Sequence, residues 1–500
     1  MSCSAYTLAS GPAHSTGRLG ATVSGVSIPI KRTEVSWPSI NTRTVSPSTT
    51  RVTGKGPSAA AGIAAAGAGS AAVGSKSGSE LQAVMVVRAV TASIAATAAV
   101  AARIPGNMHQ RYDATAILNP MMRAVVYDEP GSFTVREVPV PTVGDGQVLV
   151  RMTAAGMCGT DLHLHEGQFL ANFPLTPGHE NLGVVESIGN DATGGDVLDG
   201  EGISLQVGQQ VVINPNSACR ACEYCLEGRP RLCGSFAGVG SSAPGGFADY
   251  LLVPGAQVFD ATGIDPDLAV FAEPSACIAH LMDRLEPLAG CSVRVLGAGP
   301  TGVLLTQFLL FSGASSVVLA DPNEFKLAVA SSLASIETFV MNRDDVAGSM
   351  DALVGAYGEF DVVIDATGRA GVIEELPRLA RGGGRIVYYG VADEGDVVRV
   401  SPFEIFRREL TIMGSFTEVD SFPDALAAFR AGAIRVDGLI THRFGVDEYA
   451  AALEALRSDR SAHKIVITDS GIGYFAHSFT ESSLKAGAFR RLGMAPWVRG

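Results

Sequence analysis

Apolar and polar positions change their rhythm along the 500-residue chain, and each change predicts a different kind of structure. Residues 1–80 are Ser, Thr, Gly and Ala with scattered Arg, and 59–72 are low in complexity. They sustain neither a period of two nor one of 3.6, which predicts a disordered extension. From Met122 to about Asp260, short runs of branched and apolar residues alternate with Gly, Pro and Asp turns. A first run opens at Arg123, and 147–152, 183–187, 210–213 and 248–253 follow. Such runs suit half-buried pleated strands, so this stretch reads as an all-β, barrel-like domain. Residues 191–205 form a Gly/Asp-rich loop between two of the strands.

Near residue 290 the rhythm becomes strand, helix, strand, helix. The pattern predicts strands at 293–296, 317–320, 361–365 and 385–389, with helices at 301–312 and 324–333. Strands alternating with helices imply a parallel, doubly wound sheet. A further helix at 422–431 and a strand at 464–468 close the readable pattern, and 471–500 match nothing. The fold class is therefore α/β, a β-barrel domain beside a doubly wound parallel-sheet domain. The expected boundaries are 1–121, 122–278, 279–414, 415–470 and 471–500.

Composition narrows the function. Charged residues are 17% and hydrophobic residues 47%, which excludes a wholly disordered chain. The net charge is −13, and it is unevenly spread: residues 1–121 hold ten basic and three acidic side chains, the remainder 27 and 47. An acidic body excludes a nucleic-acid binder that relies on bulk positive charge. Residues 1–121 fit two readings. One is an Arg- and Ser-rich, acid-poor transit peptide. The favoured one is translated upstream sequence, since 121 residues is long for targeting and Met121-Met122 resembles a natural start. No eighteen-residue apolar run lacks a charge, so no membrane span is expected.

Four of the eight cysteines fall within fifteen residues: Cys219, Cys222, Cys225 and Cys233. Four soft thiolates at short spacing close a tetrahedral shell around zinc and leave no open position. The fourth spacing is seven residues, with no Cys-Pro after it, which disfavours an iron–sulfur cluster. The clustering points to a reducing compartment and a cytoplasmic protein. Arg220, Arg229 and Arg231 nearby are too few for a nucleic-acid face.

A second set is dispersed: Cys158, Thr160 and His163, then His179-Glu180, then Glu273-Pro274. One thiolate, one imidazole and one carboxylate make a zinc site with an open fourth position. Each residue alone carries little weight, because a single Cys or His is more often packing. The third set is Gly297-Ala-Gly299-Pro-Thr301-Gly302, after a strand and opening a helix, with Asp321 nineteen residues further on. Those glycines permit a tight turn and close backbone approach to a pyrophosphate at a helix N-terminus. Asp321 suits the adenosine ribose hydroxyls and repels a 2′-phosphate, favouring NAD; the alternative is a helix N-cap.

Together these residues resemble the zinc-dependent medium-chain alcohol dehydrogenases over about residues 122–468. The resemblance implies a GroES-like catalytic domain interrupted by a Rossmann domain, one catalytic and one structural Zn2+, and NAD. It implies Cys158, His179 and Glu273 as catalytic metal ligands, with Glu180 a neighbouring carboxylate able to exchange onto the metal. Thr160 and His163 match proton-relay positions, Lys326 a residue against the adenosine ribose, and Val391 a nicotinamide contact. His165 is expected at the surface. Glu273-Pro274 and the stretches 162–169 and 409–416 resemble the polyol branch, of arabinitol and sorbitol type. That implies oxidation of a small polyol by a homo-oligomer, dimer or tetramer. The enzyme alternative is threonine-type oxidation, and the non-enzyme alternative is a non-catalytic zinc- and NAD-binding relative.

Overall fold

A computed structural model describes residues 120–168 and 171–469. The expected extension before residue 120 and the tail after 470 lie outside the described residues. Met121, expected to end the extension, instead begins the first strand, Met121–Glu129, which pairs antiparallel with Ser132–Pro139.

The doubly wound half is a six-stranded, wholly parallel sheet. Its spatial order is Glu337–Val340, Ser316–Asp321, Ser292–Leu296, Phe360–Asp365, Ala380–Tyr388 and Thr411–Gly414. The first strand in sequence therefore lies at the centre, beside the point where strand order reverses. Ligands bind such sheets at that crevice, outside the carboxyl ends of the strands. Helix Pro300–Phe311 follows the central strand directly. Pro300 sits at the first helical position, where its missing N–H costs nothing. Val303, Leu304, Leu305, Phe308 and Leu309 are buried on this helix, so it is core rather than surface.

The other half is a seven-stranded sheet built on the long strand Gln147–Met157. Glu180–Ile188 and Tyr250–Pro254 pair with it antiparallel, and so does Lys464–Thr468 from the far end of the chain. Lys464–Thr468 then carries Ile440–Gly445 on its other side, in parallel. This half is thus closed by segments from both ends of the described chain.

Between the halves runs helix Ala272–Leu285, continuous across the 278/279 boundary read from the sequence. Its third residue is Pro274, tolerated because first-turn amides have no intrahelical acceptor. Phe422–Arg430 packs beside it in a core shared with the parallel sheet, through Phe422, Leu426 and Phe429. Expected segment 415–470 therefore serves both halves. No helix among the described residues is long and apolar enough to cross a membrane.

Candidate active site and metal centres

The four-cysteine set is assembled. The sulfurs of Cys219, Cys222, Cys225 and Cys233 all lie within 4.8 Å of one another. Cys219 and Cys225 Sγ are 3.9 Å apart, and Cys222 and Cys225 Sγ 3.6 Å. A tetrahedral Zn–S shell with bonds of about 2.3 Å places sulfurs about 3.8 Å apart, so the residues fit the ion. The amides of Ala221 and Cys222 push the Cys219 thiol down to about 6. All seven described cysteines are free.

Cys158 caps helix Gly159–His165. Its amide donates to Asp161 Oδ2 at 2.9 Å, which ties the helix start to a buried carboxylate. Cys158 Sγ is 3.2 Å from His179 Nε2, and Asp161 Oδ1 faces His179 Nδ1 at 3.8 Å. Asp161 Oδ1 is buried and accepts no hydrogen bond. A carboxylate behind Nδ1 orients the ring and leaves Nε2 for a metal. Burial opposes a charged His179, but Cys158 and Asp161 outweigh it and hold the imidazole well above its usual range.

Glu180, Cys158 and His179 offer ligand atoms within 4.8 Å of one another. Glu180 is also ion-paired to Lys464, with both side chains at most 2% exposed. Lys464 Nζ donates further to Met157 O at 3.2 Å and lies 5.7 Å from the Phe271 ring centroid. Glu273 is not part of that tight trio. It lines the same cavity at the start of helix Ala272–Leu285, where Oε1 accepts from Cys277 Sγ at 3.3 Å. Burial, with Glu180 nearby, pushes its carboxyl up. One thiolate, one imidazole and several carboxylates thus converge on a buried spot beside Lys464, a donor set that fits a divalent ion.

The cavity is about 330 Å³ and runs from Cys158 and His179 to the nucleotide half, reaching Thr301, Thr367 and Val391. Thr160 and His163 line it too. One wall is polar. Asn216 Nδ2 donates to Thr417 Oγ1 at 3.0 Å and to Glu418 Oε1 at 3.2 Å. Ser415 Oγ is buried there without a partner. Thr417 has φ of 39°, a left-handed conformation costly for a β-branched residue. Glu418 is fully buried, and burial next to Glu273 pushes its carboxyl up to about 8.

The glycine motif forms its turn. Gly297 has φ of 108°. A Cβ on Gly302 would lie 1.8 Å from Gly297 O, whereas one on Gly299 would face open space. That space at the helix N-terminus is a cradle fitting a pyrophosphate. Asp321 ends its strand, with Oδ2 accepting from Ala298 N and Oδ1 from Asn323 N, both at 2.7 Å. The N-cap of helix Glu324–Leu333 is Asn323, not Asp321. Lys326 lies half-buried near Asp321, and burial lowers its pKa. His165, expected at the surface, is half-buried and meets Tyr127 OH at 3.0 Å through Nδ1.

The family profile described as "Alcohol dehydrogenase GroES-like domain" matches residues 144–263, and that described as "Zinc-binding dehydrogenase" matches 300–431. D-arabinitol dehydrogenase 1 of Uromyces fabae is 36% identical over 71% of this chain and 99% of its own length. The chain belongs to the zinc-dependent medium-chain alcohol dehydrogenases. D-altritol 5-dehydrogenase of Agrobacterium fabrum is 33% identical over 69% of this dehydrogenase and 98% of its own length. A solved zinc-binding dehydrogenase of Sinorhizobium meliloti, bound to NADP, is 32% identical. It superposes with a TM-score of 0.63 over 70% of this dehydrogenase and 99% of its own chain. Lys464, Asp161, Asn216 and Thr417 are the site residues that sequence reading did not assign. Only Asp161 carried a local signal, three residues after Cys158.

Proposed function

We propose that this dehydrogenase oxidises a secondary hydroxyl of a small polyol with NAD, using zinc. The observation that carries the substrate class is the polar wall of the cavity. Asn216 and Thr417 bring amide and hydroxyl groups to the cavity that Cys158 and Thr160 also line, where a simple alkyl alcohol would call for apolar lining. Asn216 Oδ1 has no partner among the described residues and is available to a substrate hydroxyl. Both D-arabinitol and D-altritol enzymes among the relatives act, by name, on such compounds.

Bound zinc supplies Lewis-acid polarisation of the reacting hydroxyl, and bound NAD supplies the hydride acceptor. Cys158, His179 and Glu273 hold the metal, while Lys464 keeps Glu180 beside it. Thr160 takes the hydroxyl proton and His163 carries it to solvent. The glycine turn at Gly297, Gly299 and Gly302 receives the pyrophosphate, with Thr301 in the first helical turn. Asp321 spends one acceptor site per oxygen on backbone amides and offers the remainder to the ribose hydroxyls. Its charge supports NAD over NADP. Val391 faces the nicotinamide end, and Lys326 the adenosine ribose. Cys219, Cys222, Cys225 and Cys233 hold a structural zinc.

Free thiols at all seven described cysteines support a reducing, cytoplasmic location. The edge strand Thr411–Gly414, with Phe403 and Phe406 65% and 80% exposed before it, supports a homo-oligomer. The test is NADH formation by zinc-replete protein on sorbitol, xylitol, both arabinitols, threonine and simple secondary alcohols. Turnover of a polyol is expected. Turnover of threonine alone overturns the substrate class, and no turnover with two zinc ions per chain overturns the activity.

A further inference from the structure

Helix Gly159–His165 ends in a way that bears on the relay. Gly167 has φ of 80°, its amide donates to Leu164 O at 3.0 Å, and the Gln168 amide donates to His163 O at 2.8 Å. This pair of bonds is the Schellman cap, and it folds the residue after the glycine back over the third residue from the helix end. An apolar contact usually joins those two side chains. Here they are Gln168 and His163, and Gln168 Oε1 lies 2.9 Å from His163 Nδ1. Asp393 reaches the same nitrogen from the opposite half, from the loop after strand Ala380–Tyr388, with Oδ1 at 3.9 Å.

A carbonyl oxygen and a carboxylate oxygen are acceptors only. Both face Nδ1, and no side chain among the described residues bonds Nε2. We propose that Gln168 and Asp393 are positioning residues that keep the proton of neutral His163 on Nδ1, so that Nε2 is the atom that accepts the substrate's proton. This rests on the relay reading of Thr160 and His163. It adds a division of labour. Gln168 fixes the ring from its own helix cap, at a distance set by backbone bonds. Asp393 lies on the nucleotide-binding half, so its approach to Nδ1 depends on how the two halves meet.

The other charged groups around His163 do not compete for Nδ1. Asp161 faces His179, His165 is bound to Tyr127, and Glu166 is exposed. Cys158, His179 and Glu273 share the cavity. Asp393 is the one acid within 4.0 Å of a His163 ring nitrogen among the described residues.

The experiment uses the full-length, zinc-loaded protein labelled with 15N in histidine. The His163 signals are assigned by their loss in His163→Gln. Wild type should show the Nδ1–H pattern, and Gln168→Met should move it towards Nε2–H and cut kcat about tenfold. Gln168→Glu should move the acidic limb of the kcat profile up by about one pH unit, because a carboxylate favours the imidazolium. Asp393→Asn combined with Gln168→Met should lose more of the Nδ1–H pattern than Gln168→Met alone. An Nε2–H pattern in wild type, or a limb unmoved by Gln168→Glu, overturns the proposal. If His163→Gln itself leaves the limb in place, the relay reading fails instead, while the nitrogen pattern still decides the positioning.

Discussion

Replacing Lys464 by methionine tests whether the buried pair with Glu180 is structural support for the metal site. The side chains are 2% and 1% exposed, so water cannot take the place of either partner. Removing one partner of a buried pair costs about 3–5 kcal/mol, because the survivor keeps its desolvation without compensation. Unfolding entropy near about 2.1 cal/mol/K per residue, over the roughly 350 described residues, gives about 0.7 kcal/mol/K. The expected fall in Tm is therefore about 4–7 °C. Lys464→Met/Glu180→Gln should recover most of it, since two neutral groups of similar volume leave no lone charge. The assay is thermal unfolding followed by circular dichroism, with zinc content measured by atomic emission on each sample. A single-variant loss below about 1 °C at full zinc occupancy would refute the reasoning. So would a double variant no more stable than the single one.

Three further outcomes follow from the geometry. Cys222→Ser should lower Tm and release one zinc per chain while kcat changes less than twofold in the protein that remains folded, read by unfolding and metal analysis. Asp321→Ala should raise KM for NAD about tenfold and bring NADP closer to parity, read from the ratio of kcat/KM for the two cofactors. Thr417→Gly should leave Tm within about 2 °C, because relief of the left-handed strain offsets the lost hydroxyl bond. The same variant should lower kcat/KM for a polyol about tenfold and leave that for 2-butanol unchanged.

Much of this site is legible because its chemistry is local in sequence. The four cysteines and the glycine turn are each set by spacings within one loop, so counting residues finds them. The strands at 210–213 and 464–468 and the helix at 324–333 were readable to the residue, because turn formers or caps such as Asn323 bound them. Lys464 was not readable, since its partner Glu180 is 284 positions away and no periodicity links them. The Asn216–Thr417 bond likewise spans 201 positions. The helix that runs across the boundary at residue 278 was not readable for another reason. A helix that serves two cores has no turn residues where function would divide it, and Ala272–Leu285 is buried against both sides. His165 was misplaced because a sequence gives no sign that Tyr127, from the first strand, will pack over it.

The antiparallel pairing of Lys464–Thr468 with Gln147–Met157 has a consequence for how the protein comes off the ribosome. Lys464, whose Nζ donates to the Met157 carbonyl in the metal half, stands 307 residues beyond it. At about 5–20 residues per second, that distance takes about 15–60 s to synthesise. Within that interval the strands of the parallel sheet, residues 292–414, are made and can assemble on their own adjacent segments. The metal half must wait, with an open strand edge and Glu180 without its cation. A premature stop between residues 431 and 464 would yield a chain whose parallel sheet has all six strands and whose catalytic half cannot close. Such a chain exposes an unpaired edge to chaperones and proteases, so an intact far end of the fold certifies that the enzyme was read through.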